Sequence, residues 1–294
     1  MNNQLFPHFG GVVQSLLKDG IFANVKEPLS AAASDLSAQK SVTLVGEISL
    51  IGILAMAQVE AAFLDTGIAY TRLFLGSDNL PQSSCVIFSS EKDTQWDDSN
   101  KHLLIGKAQA ESVMGQESSV RDGIIGPVAQ AAAFAAIIAP EGVRVRKIRA
   151  WSGAGQWLRP TLDLVYDPVW TCLRDHLRDE GTVRIVPLPE VEMSGECGIE
   201  GISERSLVRL RKAWLTLDHD LRSSALSELL LNVVGTSGLS AARIEELGWH
   251  RVVAGHWPCD MATMLRNEVA LWPTDADVNY ASSRLETLIS QGYF

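Results

Sequence analysis

The chain has 294 residues, 46% of them hydrophobic and 20% charged. That predicts about two globular domains, each with a core of its own, and excludes an intrinsically disordered protein. With 35 acidic residues against 25 basic ones the net charge is −10, which excludes a protein that coats nucleic acid over its whole surface, so any such contact must be a local patch. The amino terminus, Met1-Asn2-Asn3-Gln4-Leu5-Phe6-Pro7, has neither a basic leader nor an apolar core; no secretory signal is expected and the compartment reads as cytoplasmic.

In chain order, two short helical patterns come first, around Val12-Val13-Leu16-Leu17 and over 29–36, separated by Pro28. Val42-Thr43-Leu44-Val45 is compact and apolar and ends at Gly46, as a buried parallel strand should. Residues 52–64 carry Leu54, Ala57, Ala61 and Leu64 at helical spacing, Asp65-Thr66-Gly67 stops that helix, and 68–75 is a second strand. This βα-type alternation continues with strands at 85–88 and 102–105 and an alanine helix at 127–138. The apolar run 123–139 contains Pro127 and Gln130 and is rich in alanine. It falls short of the roughly 20 strongly apolar residues of a membrane span and reads as a buried helix.

Beyond Pro140, the strip 143–151 alternates Val143, Arg144, Val145 and Arg146 and is expected to be extended. A helix is expected over 169–178, a strand over 182–186, a Pro/Gly-rich linker over 187–203, and helices over 204–215, 220–233 and 241–247. A closing strand at 268–271 and a helix at 278–290 complete the reading. The expected fold class is α/β, with a mostly parallel open sheet and helices on both faces. The expected division is an α/β domain at 1–186, the linker at 187–203, and a helical segment with a partial carboxyl-terminal domain at 204–294.

Motifs for chemistry are sparse. Cys85, Cys172, Cys197 and Cys259 form no CxxC pair, which disfavours a zinc ribbon or redox motif and leaves reduced structural thiols. No GxxxxGK[ST] or GxGxxG follows a strand, and Gly153-Ala154-Gly155 lacks the third glycine of a dinucleotide loop.

A strand, a short loop ending in Gly52, an Ala-rich helix and "DTGIAYTRLFL" resemble the start of the DHH phosphoesterase superfamily, above all archaeal RecJ-like proteins including the GINS-associated nuclease. The resemblance runs on through strands 86–88 and 103–105, helix 126–138, "IRAWSGAGQ" and "RLRKAWLTLDHDLRSSALSELL". It is one of pattern, since the family's signatures are replaced. Matching the glycine of its HxDxDG loop to Gly52 puts Glu47 at the histidine and Ser49 and Ile51 at the aspartates. The second motif's aspartate falls near Ser89 or Ser90, Asp-His-His corresponds to Gly106-Lys107-Ala108, and the late "GxxGD" aspartate to Gln156. Two divalent ions need carboxylates and imidazoles that this set lacks, and Glu47 alone could hold at most one ion weakly.

The resemblance also places a Gly-rich substrate-binding motif beyond "NYASSRLETLISQGYF", so the second domain is expected to be a truncated α+β unit. It implies a degenerate member with no catalytic residue, metal or cofactor. Its partner would be GINS and, through GINS, the MCM motor of a replicative helicase, with single-stranded DNA touched inside that complex.

Other residues compete for attention. Asp218-His219-Asp220 reads as a helix start with Asp220 as cap. His250, His256 and Cys259, beside Trp249 and Trp257, read as a packed aromatic loop. Arg144, Arg146, Lys147 and Arg149 are the candidate nucleic-acid contact, beside Trp151 and Trp157 for stacking, against a solvated edge strand as the plainer reading. Arg205, Arg209, Arg211 and Lys212 form a second basic face on a helix, and any exposed member of the eight tryptophans would mark an interface. The rival functions are a metal-dependent phosphoesterase built around Glu47, Glu91 and Asp122, and a free-standing single-stranded DNA binder.

Overall fold

Pro28 starts a helix rather than separating two: it stands in the first turn of α1 (Lys26–Ser37), where its missing N–H has no intrahelical partner to lose. The computed structural model describes residues 15–74, 81–114, 120–164, 166–192, 199–234 and 238–294. Leu16 and Leu17 lie in a short 3-10 turn, while Val12, Val13 and Cys197 lie outside the described residues.

Strand β1 (Ser41–Gly46) leads into α2 (Leu50–Thr66), which Gly67 ends in a left-handed conformation at φ 75°. There follow β2 (Ala69–Phe74), β3 (Cys85–Asp93), β4 (Gln95–Asp97), β5 (His102–Met114) and β6 (Val120–Ile125). The sheet order is β2-β1-β3-β5-β4, with β6 pairing β5. The β1/β2, β1/β3 and β3/β5 pairs are parallel, and β4 and β6 run antiparallel to β5. The fold is therefore α/β, with a mostly parallel mixed sheet of six strands flanked by helices.

One sheet face stacks Leu44, Val86 and Leu103 in a single register row, with Phe88 and Ile105 in the next. All are buried, and each contributes roughly 1.5–3 kcal/mol through burial. On the same face as Leu44, Tyr70 and Arg72 of β2 reach α2. The opposite row, Val45, Ile87 and Leu104 with Cys85 and Leu73, forms a second buried cluster. Apolar residues on both faces account for strands that read as continuous runs rather than alternating ones. Helix α3 (Pro127–Ile138) packs on α2, and the small side chains of both let their backbones approach closely.

The strip expected to be extended is helical: α4 (Val143–Ile148) runs into a 3-10 turn at Arg149–Gly153 and α5 (Ala154–Trp157). The physical reason is a distant cap. The Asp65 carboxylate accepts from the backbone N–H of Arg144 at 2.8 Å and of Val145 at 3.0 Å, satisfying donors at the helix start. Next come α6 (Thr161–Leu164), α7 (Pro168–Asp179), β7 (Arg184–Val186), α8 (Glu204–Trp214), α9 (His219–Leu231), α10 (Ala241–Trp249), β8 (Arg251–Val253), α11 (Met261–Leu271) and α12 (Val278–Gln291). Residues 268–271, expected as a strand, are the last turn of α11. The cap of α9 is Asp218, which accepts from Leu221 N at 2.9 Å, rather than Asp220.

The chain divides into two units, neither continuous in sequence: Met1–Gln156 with Pro168–Thr182 and Trp272–Phe294, and Trp157–Asp167 with Val183–Leu271. This differs from the sequential division at 186 and 203, because α12 packs on α2. In the second unit, β7 and β8 form an antiparallel ladder. Arg251 and Asp260, both fully buried, pair at 2.9 Å, and Arg243 pairs with Asp163 at 2.7 Å while lying over the Trp157 ring. Among the described residues no helix is long and apolar enough to cross a membrane.

Candidate functional site

The chain leaves β1 through α2 to β2 on one side and returns to place β3 on the other. The carboxyl ends of β1 and β3 therefore flank a topological switch point, where open α/β sheets bind ligands. Just past the end of β1, Glu47 meets Ser90 at this rim, with Ser49 two residues on and Ser89 beside Ser90; β3 does not stop at Phe88 as expected but carries both serines on to Asp93. The Glu47 carboxylate accepts from Ser90 N at 3.3 Å and from the Ser90 hydroxyl at 3.1 Å. Ser89 Oγ accepts from Glu91 N at 3.3 Å. Ser49 caps α2, its hydroxyl oxygen accepting from Gly52 N at 3.0 Å. A Cβ at position 52 would stand 2.3 Å from the Glu47 carbonyl oxygen, so the close turn itself demands glycine. Ile51 is half-buried in the first turn of α2. The rim offers one carboxylate, three hydroxyls and the positive end of a 17-residue helix, a set suited to hydrogen bonding and too poor in hard anionic ligands for a two-metal centre.

The other positions matched by resemblance do structural jobs elsewhere. Gly106-Lys107-Ala108 does not follow a strand end as expected. β5 runs through it to Met114, with Lys107 opposite Asp93 and Ala108 opposite Ile125. A Cβ on Gly106 would stand 1.9 Å from the Lys92 carbonyl oxygen, and its N–H donates to Thr94 Oγ1 at 2.9 Å. Gln156 is buried, accepts from Gly126 N at 3.0 Å and donates to Ile124 O at 2.9 Å, tying the end of β6 to the start of α3.

The candidate nucleic-acid contact is dispersed. Arg144 pairs with Asp65 at 3.1 Å, Lys147 donates to the Ser290 carbonyl, and Arg146 is half-buried. Arg149 is 1% exposed and grips Glu180 through Nε at 2.8 Å and Nη2 at 2.9 Å, so it is no surface cation. Trp151 is fully buried with its indole N–H on the Gly292 carbonyl at 2.8 Å, and Trp157 is buried as well. No tryptophan of the eight is exposed. His250 lies 3.3 Å from Glu246, and His256 meets the buried Trp257 edge-on. Among the described residues no three His, Cys, Asp or Glu side chains, Glu47, Glu91 and Asp122 included, group as a metal site.

Two polar clusters escape a local reading of the chain. Glu60, fully buried in α2, accepts from the Tyr70 hydroxyl at 2.7 Å and from Arg72 Nε at 2.7 Å. Burial and the Glu60 carboxylate push the Tyr70 phenol up to about 12. In the second cluster His176 lies 3.2 Å from Asp19 and 3.5 Å from Glu180. The neighbouring carboxylates of Asp19 and then Glu180 raise His176 to about 9. Burial works against the Glu180 carboxylate, but His176 and Arg149 overcome it and hold Glu180 at about 2. Glu60 was detectable as an acid within the apolar run "ILAMAQVEAAFL"; nothing near His176 in sequence announces Asp19.

A scan against models of protein families finds no match for this chain, and a search of curated proteins finds none either.

Proposed function

We propose that the chain is a non-catalytic, RecJ-like scaffold that binds GINS and, through it, the MCM motor of a replicative helicase, nucleoid-associated when so assembled. One observation carries this reading. The positions that resemble a two-metal nuclease site hold side chains already committed to the fold: Ser49 to the α2 cap, Ser90 to Glu47, and Gln156 to the β6 and α3 backbone. The α/β sheet with its switch point between β1 and β3 agrees with the order of elements in that family. A fold kept after its ligand positions have become structural is useful through its surface.

Size-exclusion chromatography with the GINS proteins of the same organism tests the partner, with co-elution at micromolar concentration expected. Incubation with labelled single-stranded DNA or RNA and Mn²⁺ tests the chemistry, with no cleavage above buffer expected. Separate elution at tens of micromolar overturns the scaffold reading. Mn²⁺-dependent cleavage that follows the protein through successive columns revives the phosphoesterase. Tight DNA binding by the free protein at physiological salt makes it a DNA binder.

A further inference from the structure

Helix α8 carries four cations, Arg205, Arg209, Arg211 and Lys212, and one acid, Glu204, at its amino end. Its inner side is settled: Leu207, Leu210 and Trp214 are buried, and Trp214 donates its indole N–H to Glu190 at 2.8 Å. Arg211 is half-buried, which removes it from the basic face expected from sequence. Arg205, Arg209 and Lys212, spaced four and three apart, form one exposed row along the helix. Val208 and Leu215, 48% and 85% exposed, form an apolar row beside it. Among the described residues none of the three cations is ion-paired.

Helix α9, which packs against α8, and the turn after it add Leu221, Leu231 and Val234, so 5 of the 10 exposed large hydrophobic residues described fall within 208–234. On α8 the exposed Val208 and Leu215 lie beside a row of unpaired cations, whereas the α9 side carries the exposed acids Asp218, Asp220 and Glu228; the apolar and cationic rows of α8 mark a surface that another molecule covers.

We propose that the exposed face of α8 docks an acidic amphipathic segment of another protein. Its carboxylates pair with Arg205, Arg209 and Lys212 while its apolar side chains cover Val208 and Leu215. Charge complementarity selects the occupant, because this row is positive on a chain of net charge −10. A second copy docking through this same face would bring the same positive row against it, which like-charge repulsion opposes. Nucleic acid fits less well. Three cations neutralise few phosphates against the acidic total, and the neighbouring row offers aliphatic side chains where bases would need aromatic ones. The inference does not depend on the RecJ-like reading.

The test uses the full chain and a fluorescent synthetic peptide of about 18 residues, five helical turns, with Glu at i, i+4 spacing beside a Leu row. Controls are the same peptide with Lys for every Glu, and an oligothymidine. Anisotropy should show micromolar binding of the Glu peptide, at least about tenfold weaker after Arg209→Glu with Lys212→Glu, and about threefold to tenfold weaker after Leu215→Ser. These side chains are exposed, and circular dichroism verifies that the variants remain folded. No binding of the Glu peptide, or equal binding by the charge-reversed variant, overturns the proposal. Competition by oligothymidine that depends on Arg209 and Lys212 overturns it in favour of nucleic acid.

Discussion

Glu47 precedes α2 and Glu60 lies within it, and the two are held in opposite ways. Glu60 lies inside α2 with no exposure, and three donors, from Tyr70 and Arg72, converge on its carboxylate. Glu47 sits at the half-buried rim, held by one serine through its N–H and hydroxyl. A buried charge must be fully paired or it does not persist, whereas a rim charge is tethered lightly because water serves it nearly as well. The interior of α2 thus holds a structural acid, and the turn before it, facing the switch point, holds a spare one.

The largest expected effect comes from breaking the interior arrangement. Glu60→Ala leaves the Arg72 guanidinium and the Tyr70 hydroxyl without their buried partner and should cost about 3 kcal/mol or more, read as a lower urea midpoint. Loss of under 1 kcal/mol would mean that Arg72 relocates wholly to Glu286, its other partner at 3.0 Å.

The His176 cluster extends the same contrast to pH. His176 is raised from 6.5 to about 9 by its Asp19 and Glu180 partners, so its stabilisation is complete below 6.5 and is lost as pH rises through about 9. Glu180, lowered from 4.5 to about 2 against its own burial by His176 and Arg149, stabilises fully above 4.5 and fails as pH falls through about 2. Denaturation measured across pH should therefore give a plateau from about 4.5 to 6.5, declining on both sides. His176→Gln should flatten the alkaline decline and also shrink the acid one, because His176 is one of the two groups that hold Glu180 down.

At the rim, Ser49→Ala removes the α2 cap and should cost about 1 kcal/mol, measurable by the same denaturation. Glu47→Gln is the smallest change, expected within about 0.5 kcal/mol. A large loss there would show that the rim acid is as structural as Glu60 and erase the distinction between them.

The β1-α2-β2 path was legible because apolar runs end at Gly46 and Gly67, and α3 because Pro127 begins it and Pro140 follows it. The second half of β5 was not, since Lys107, Gln109 and Glu111 are exposed and give a local reading little apolar signal. At 143–148 the Val-Arg-Val-Arg alternation mimics a strand, while the cap that makes it a helix comes from Asp65, 79 residues away from Arg144. The candidate site was legible to the same degree. Glu47 could be placed at a strand end by its position after β1, but its Ser90 partner and the backbone bonds of Gln156 are properties of the folded sheet.

Unit 1 recruits its last pieces late. Residues 272–294 supply α12, the Glu286 carboxylate on Arg72, and the Gly292 carbonyl that accepts from the buried Trp151. During synthesis all of Val183–Leu271 in unit 2 has already emerged before these arrive. The unit begun first is thus completed last, and until then the nascent chain holds Arg72 through Glu60 alone, while the indole of Trp151 still awaits its carbonyl.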